Sequence, residues 1–124
     1  MSGSNLVVDT NIILYLFQGD RLIADLLNEQ HIYISFITEL ELLSFKSLSA
    51  IEKGIVKSFI SECTIIDITP GIKSMSIELR KTYALKLPDA IVAATAHFLN
   101  MPLVTADKAL KRVEDLNIIL VDRE

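Results

Sequence analysis

Four acidic residues, spread along the chain, are candidates for one shared metal site: Asp9, Glu41, Asp89 and Asp107. Each alone has an ordinary structural explanation, because a carboxylate near a helix N-terminus is stabilised by about 0.3–1 kcal/mol through the helix dipole and free backbone N–H groups. Brought into one pocket, the carboxylates would repel each other by several kcal/mol. A divalent cation removes that repulsion. Hard oxygen ligands with room for water favour Mg²⁺, or Mn²⁺ in its place.

The elements that carry these acids decide whether they meet. β-branched and apolar runs predict strands at 6–8, 31–36, 64–68, 103–105 and 118–121. Helical apolar spacing predicts helices at 12–17, 22–28, 38–46, 51–60, 70–83 and 90–99, and a short one at 107–112. Thr38 with Glu41 fits a capping box, Ser49 suits a helix cap, and Pro70 suits a first helical turn.

Strands separated by helical segments indicate crossover connections, so the fold class predicted is a three-layer α/β/α domain around a mainly parallel sheet of about five strands. Ligands in such sheets bind outside the carboxyl ends of the strands. Asp9, Glu41 and Asp107 follow three of the strands, and a short antiparallel return would bring Asp89 to the same edge. One domain is expected over residues 1–124, with residues 1–4 set aside as disordered or as a cloning scar.

Composition limits the class of protein. The chain has 124 residues, of which 51% are hydrophobic, so it can fill one core, and disorder is excluded. Its longest uninterrupted apolar run, Ile12 to Phe17, is far below the roughly 18 residues of a membrane span. No export signal is apparent, and a lone Cys63 fits a reducing compartment. A soluble, cytoplasmic protein is therefore expected.

The charge balance is uneven along the chain. The net charge of −4 counts against a nucleic-acid partner on average. Residues 1–45, however, carry one arginine against six acids, whereas the later part is slightly basic. The basic residues of this part are compatible with solvated helix faces or with contacts to a phosphate backbone; for the second interpretation Lys86 and Lys108, each within three residues of one of the four acids, are the best candidates.

Four segments of the chain resemble a known family. They are Val8-Asp9-Thr10-Asn11, Ile37-Thr38-Glu39-Leu40-Glu41, the run from Leu87 to Ala96, and Leu103-Val104-Thr105-Ala106-Asp107. Together they resemble the PIN domain, and within it the VapC group of toxin ribonucleases from type II toxin–antitoxin pairs. The resemblance covers residues 6–121. Each motif alone is weak, but four in the right order and spacing are a strong signal.

The resemblance assigns roles to individual residues. It places the catalytic, metal-ligating quartet on the four acids named above, with Glu39 as the competitor for the position of Glu41. The same comparison makes Thr10 and Asn11 the polar pair that supports the first Asp, and makes Thr105 the hydroxyl that precedes the last. Ala106 stands where the family often has Asn or Arg, so the substrate preference cannot be carried over.

The activity implied by the resemblance is Mg²⁺-dependent hydrolysis of RNA phosphodiesters by a toxin. The partners it implies are the RNA substrate, a cognate antitoxin and a second copy of the chain in a homodimer, with no membrane partner. The apolar excess of helices 12–17, 22–27 and 51–60 independently favours an interface. The number of metal ions and the RNA sequence that is cut stay open.

Two other functions compete with this one. A PIN nuclease of RNA maturation or decay would share the chemistry without the toxin role. A receiver-type signalling domain has a similar size and an acidic Mg²⁺ pocket, but it needs adjacent acids after the first strand and a lysine after the last. Here Asp9 is followed by Thr10 and Asn11, and no lysine follows Val121.

Overall fold

Five short strands form the centre of the molecule, which a computed structural model describes over residues 3–123. They are β1 (Asn5–Val8), β2 (His31–Ser35), β3 (Thr64–Ile66), β4 (Leu103–Thr105) and β5 (Ile118–Leu120). Their order is β3-β2-β1-β4-β5, and all neighbouring pairs are parallel. The predicted sheet is confirmed. Of the four residues set aside above, the first two lie outside the described residues.

Helices cover both faces of this sheet. They are α1 (Thr10–Phe17), α2 (Arg21–Leu27), α3 (Phe36–Leu43), α4 (Ala50–Ser61), α5 (Pro70–Tyr83) and α6 (Leu87–Leu99), followed by a 3₁₀ helix at Lys108–Arg112. Successive strand side chains point to opposite faces, so Leu6 and Val8 join a core with α1, α2 and α4. Val7 joins a second core with α5 and α6. The predicted three-layer α/β/α architecture is confirmed.

The strand order of the sheet reverses between β1 and β4, at its carboxyl edge. β1 pairs with β2 on one side and with β4 on the other, so the chain moves outwards from β1 in both directions. The carboxyl ends of β1 and β4 therefore lie at the point where the strand order reverses. Crevices at such points are the usual ligand sites of open parallel sheets.

Several predicted helix boundaries can be compared with the structure. Helix α3 begins at Phe36, and the Ser35 hydroxyl caps it by accepting the Ile37 N–H at 3.2 Å. The capping box predicted from Thr38 and Glu41 is therefore wrong, because both residues lie inside the helix. The cap at Ser49 and the helix start at Pro70 are confirmed.

Other predicted boundaries differ by one to three residues, as at α3, which ends at Leu43 instead of residue 46. The third strand ends at Ile66 instead of residue 68, and the short helix after β4 is a 3₁₀ helix. Within residues 3–123, none of the helices combines the length and the apolarity needed to cross a bilayer.

An ion pair fastens the end of the chain to α2. Arg123 donates from Nε to Asp20 Oδ2 at 2.6 Å and from Nη2 to Oδ1 at 2.9 Å. Asp20 is also the N-cap of α2, where Oδ1 accepts the Ile23 N–H. The hydrogen bonds from Arg123 are the main reason why the pKa of Asp20 is lowered to about 2.

This ion pair predicts a pH-dependent stability difference. Because the folded-state pKa is lowered, the stabilisation is complete above the unfolded value of about 3.9 and is lost as the pH falls towards 2. Asp20→Asn keeps a capping acceptor but removes the charge, so it should lower Tm at pH 6 and converge with the wild type in acid. Thermal unfolding between pH 6 and 2 measures this. Asp25→Asn, on the exposed face of α2, is the control, and a pH-independent difference for Asp20→Asn would contradict the assignment.

Candidate active site

All four acids singled out in the sequence line one pocket at the carboxyl edge of the sheet. The pocket has a volume of about 340 Å³. Its walls are formed by Asp9, Thr10, Asn11, Leu14, Glu41, Ser44, Phe45, Asp89 and Asp107. The fold therefore brings together side chains that are nearly a hundred residues apart in the sequence.

Asp9 is the most buried of the four carboxylates. It follows β1 directly and caps α1, with Oδ1 accepting the Thr10 N–H at 2.8 Å. Oδ2 accepts the Thr105 hydroxyl at 2.7 Å, and the residue is only 7% exposed. Burial raises the pKa of Asp9; the two hydrogen bonds oppose this, and the charges of Asp107 and Glu41 add to it.

Thr105 links two of the acids. It is fully buried at the end of β4, donates to Asp9 and accepts the Asp107 N–H at 3.0 Å. Asp107 in turn caps the 3₁₀ helix, with Oδ1 accepting the Ala109 N–H at 2.9 Å. Asp107 thus caps the 3₁₀ helix and lines the pocket at the same time.

Glu41 reaches the pocket from α3, while Glu39 is not among the residues that line it. The Thr10 hydroxyl donates to Glu41 Oε1 at 2.6 Å, a short distance typical of a hydroxyl bonded to a carboxylate. The two parts of Thr10 therefore serve different acids. Its backbone N–H supports Asp9, as the sequence comparison implied, whereas its side chain holds Glu41.

Asp89 lies in the first turn of α6. Burial is the largest cause that raises its pKa to about 6, followed by the charges of Asp107 and Asp9, while Lys86 lowers it. Lys86 is exposed and is the N-cap residue of α6. The mutual influence of these carboxylates shows that they share one electrostatic environment.

The donor set fits a hard divalent cation. Four carboxylates and two hydroxyl-bearing residues supply oxygen ligands only, which suits Mg²⁺ or Mn²⁺. No three His, Cys, Asp or Glu side chains within residues 3–123 stand close enough to form a ready-made ligand set. Mg²⁺ usually takes one or two carboxylates and keeps several waters, so this open arrangement is compatible with it.

The pocket also contains residues that sequence reasoning did not assign to it. Leu14 and Phe45 give it an apolar wall, and Ser44 adds a hydroxyl. Phe45 lies in the segment after α3 and is 39% exposed. Only its position shortly after the helix that carries Glu41 could have indicated that it lines the pocket. Asn11 also lines the pocket.

The two lysines proposed for a phosphate backbone occupy different positions. Lys86 lies close enough to Asp89 to lower its pKa. Lys108 is exposed and forms a surface ion pair with Asp122 at 3.8 Å. It is not among the residues that line the acidic pocket.

A larger, mainly apolar cavity lies elsewhere, between α5 and α6, with a volume of about 790 Å³. Lys73, Arg80 and Lys81 are among its walls, and no carboxylate lines it. Its size exceeds that of the acidic pocket, but it holds no group suited to metal-dependent hydrolysis. Of these two cavities, only the smaller one is lined by carboxylates.

Comparison with known proteins agrees with this geometry. The family model of the PIN domain matches residues 6–116. The chain belongs to the PIN-domain family. PIN domains are nucleases, so the receiver-type alternative is wrong. No curated protein matches the sequence significantly.

Solved structures similar to this PIN domain come from toxin–antitoxin systems. A chain of a toxin–antitoxin complex from Klebsiella pneumoniae is 31% identical, with a TM-score of 0.80, over 92% of this chain and 95% of that one. A chain of VapBC2 from Rickettsia felis, bound to a promoter DNA fragment, is 27% identical, with a TM-score of 0.77, over 95% and 99%. A chain of DNA-bound VapBC from Salmonella typhimurium, 22% identical with a TM-score of 0.78 over 96% and 98%, shares the fold.

Because four carboxylates line one pocket, we expect the charge of Asp107 to destabilise the metal-free PIN domain. Asp107→Asn keeps an acceptor for the Ala109 N–H but removes a negative charge. It should therefore stabilise the protein in EDTA by about 0.5–1 kcal/mol, the scale of partly solvated charge interactions. Added Mg²⁺ should raise the Tm of the wild type more than that of the variant.

Chemical denaturation in EDTA and thermal unfolding with Mg²⁺ measure the two effects. Glu39→Gln removes a charge from α3 outside the pocket and is the matched control, for which neither effect is expected. Destabilisation by Asp107→Asn in EDTA would contradict a net repulsion at Asp107. An equal rise in the Tm of both proteins with Mg²⁺ would show that Asp107 does not help to bind the cation.

Proposed function

We propose that this PIN domain is a Mg²⁺-dependent endoribonuclease that acts as the toxin of a toxin–antitoxin pair. The observation that carries the proposal is the convergence of four carboxylates, two of them joined through Thr105, in one pocket of a PIN fold. The toxin role is supported by the likeness to chains of toxin–antitoxin complexes at 27–31% identity.

In this proposal Asp9, Asp89 and Asp107 hold the cation, directly or through water, and Mn²⁺ can substitute for Mg²⁺. When bound, the cation neutralises the carboxylates, favours the ionisation of water and offsets the charge that develops on the phosphate. Glu41 is a further ligand or the base that orients the attacking water. No side chain of the pocket has to act as a nucleophile.

The protein groups around the acids have supporting tasks. Thr105 and the Thr10 N–H fix both oxygens of Asp9, so its carboxylate cannot rotate freely. Lys86, beside Asp89, is the better placed of the two predicted lysines to contact a phosphate backbone. Lys108 would reach RNA only at the margin of the site, because its ammonium already pairs with Asp122.

Substitution of Asp9 tests the nuclease activity. Loss of a residue behind a metal ligand costs about 10–100-fold, so Asp9→Asn, which alters a ligand itself, should lower Mg²⁺-dependent RNA cleavage by about a hundredfold or more. Asparagine preserves the N-cap of α1, so the fold should persist. Cleavage of a structured RNA, with and without EDTA, is the measurement.

Glu39→Gln is the control for this experiment and should cleave RNA like the wild type. Cleavage that persists in EDTA, or an Asp9→Asn variant as active as the wild type, would disprove the proposed metal centre. Loss of activity in Glu39→Gln alone would show that the wrong glutamate has been assigned.

The proposed partners are a cognate antitoxin and a second copy of the chain, acting in the cytoplasm. Surface exposure of apolar side chains supports an interface. On α4, Ile51 is 79% exposed and Ile55 is also exposed, as is Leu22 on α2. Such side chains favour a covered face, as the sequence led us to expect. Sedimentation velocity measures the homodimer directly.

The toxin role makes a separate prediction. Induced expression in a bacterium should stop growth, Asp9→Asn should not, and co-expression of the small protein encoded next to the gene should restore growth. Growth curves and viable counts are the measurements. Harmless expression of a protein that still cleaves RNA in vitro would instead favour the alternative, a PIN nuclease of RNA maturation or decay.

A further inference from the structure

Thr38 is a buried hydroxyl in α3 whose partner lies on another helix. The residue is 0% exposed, and its Oγ1 lies 3.0 Å from Thr10 Oγ1. The sequence suggested that Thr38 caps a helix, but Ser35 performs that task. Another reason is therefore needed for a polar side chain at a position that is completely shielded from water.

Other buried hydroxyls within helices behave differently. Thr95 Oγ1 donates to the Ile91 carbonyl at 2.7 Å, and Ser76 Oγ donates to the Ile72 carbonyl at 2.7 Å. Both are satisfied within their own helices, as is usual for such residues. In the described part of the chain, Thr38 has only Thr10 as a hydrogen-bond partner.

The direction of this contact follows from the number of protons. Thr10 has one hydroxyl proton, and its Oγ1 lies 2.6 Å from Glu41 Oε1 and 3.0 Å from Thr38 Oγ1. The shorter contact is to a carboxylate, which accepts only, so the Thr10 proton belongs there. The Thr38 hydroxyl must then donate to Thr10. The result is a chain from Thr38 through Thr10 to Glu41.

We propose that Thr38 is a positioning residue for Glu41 and acts through Thr10. Its donated hydrogen bond fixes the rotation of the Thr10 hydroxyl, which in turn holds one oxygen of Glu41 in the pocket. Thr38 and Glu41 lie three residues apart, on neighbouring positions of one face of α3. The hydrogen bonds therefore lead from α3 to Thr10 on α1 and back to α3. The inference rests on the proposed function, because it gives Glu41 a role in the nuclease site.

Substitution of Thr38 by the isosteric valine tests the relay. Thr38→Val should lower kcat for RNA cleavage and weaken the binding of Mg²⁺ alone, each by about threefold to tenfold, the effect of one net hydrogen bond. KM should stay unchanged, and Thr38→Ser, which keeps the hydroxyl, should restore both values. Isothermal titration with MgCl₂ and steady-state kinetics are the measurements.

Thr95→Val is the matched control. It makes the same chemical change at an equally buried helical position that has no contact with the pocket. It should affect the stability but neither Mg²⁺ binding nor kcat. If Thr38→Val does not fold, Thr38→Ala compared with Thr95→Ala provides the same comparison.

A double-mutant cycle separates the relay from a general packing effect. If Thr38 acts through Thr10, adding Thr38→Val to Thr10→Val should change Mg²⁺ affinity no further. Additive losses would overturn the inference, as would Thr38→Val with wild-type values in an active nuclease. If the wild type cleaves no RNA while the double variant binds Mg²⁺ as well as Thr10→Val alone does, the proposed function fails and the inference about Thr38 stands.

Discussion

The repulsion between carboxylates gathered at one edge of a small sheet is the constraint on which this structure depends. Two of the acids, Asp9 and Asp107, are N-caps, and Asp89 lies in the first turn of α6. Their negative charges therefore face the positive ends of three helices, which offsets part of the repulsion. Burial is the main cause of the raised pKa values of Asp9 and Asp89, and the charges of the neighbouring carboxylates add to it. The carboxylates are thus gathered in the absence of any cation, and the metal-free fold carries the energetic cost.

Buried hydroxyls hold this charged edge in place. Thr105 joins Asp9 to Asp107 from the end of β4, and Thr10 joins Glu41 to Thr38 from the start of α1. A hydroxyl inside a protein must find a partner, since an unpaired buried polar group costs about 1–3 kcal/mol. Within residues 3–123 every buried side-chain polar atom has one. The requirement for pairing therefore fixes the orientation of the acids as well as the packing between strands and helices.

The remaining surface divides into regions with different chemistry. Apolar residues on α2 and α4 are exposed on one side of the sheet, and a cavity bordered by lysine and arginine lies between α5 and α6 on the other. The acidic pocket lies at the end of the sheet between these two layers. A chain of this size can accordingly present an acidic pocket and separate apolar faces, because the parallel sheet leaves its carboxyl edge uncovered by either helical layer.

The sequence determined the order of strands and helices along the chain, the parallel sheet and the candidate acids, with Glu39 and Glu41 as competitors, because apolar periodicity and the position of acids near strand and helix ends are local properties of the chain. It did not predict that Phe45 lines the pocket. It also predicted wrongly that Thr38 caps a helix, since a threonine three residues before a glutamate occurs both in capping boxes and inside helices. The tertiary structure alone decided which glutamate of α3 faces Asp9 and which hydroxyls pair. Those choices depend on contacts between residues about 30 to 100 positions apart, which form only when the crossovers bring the strand ends together.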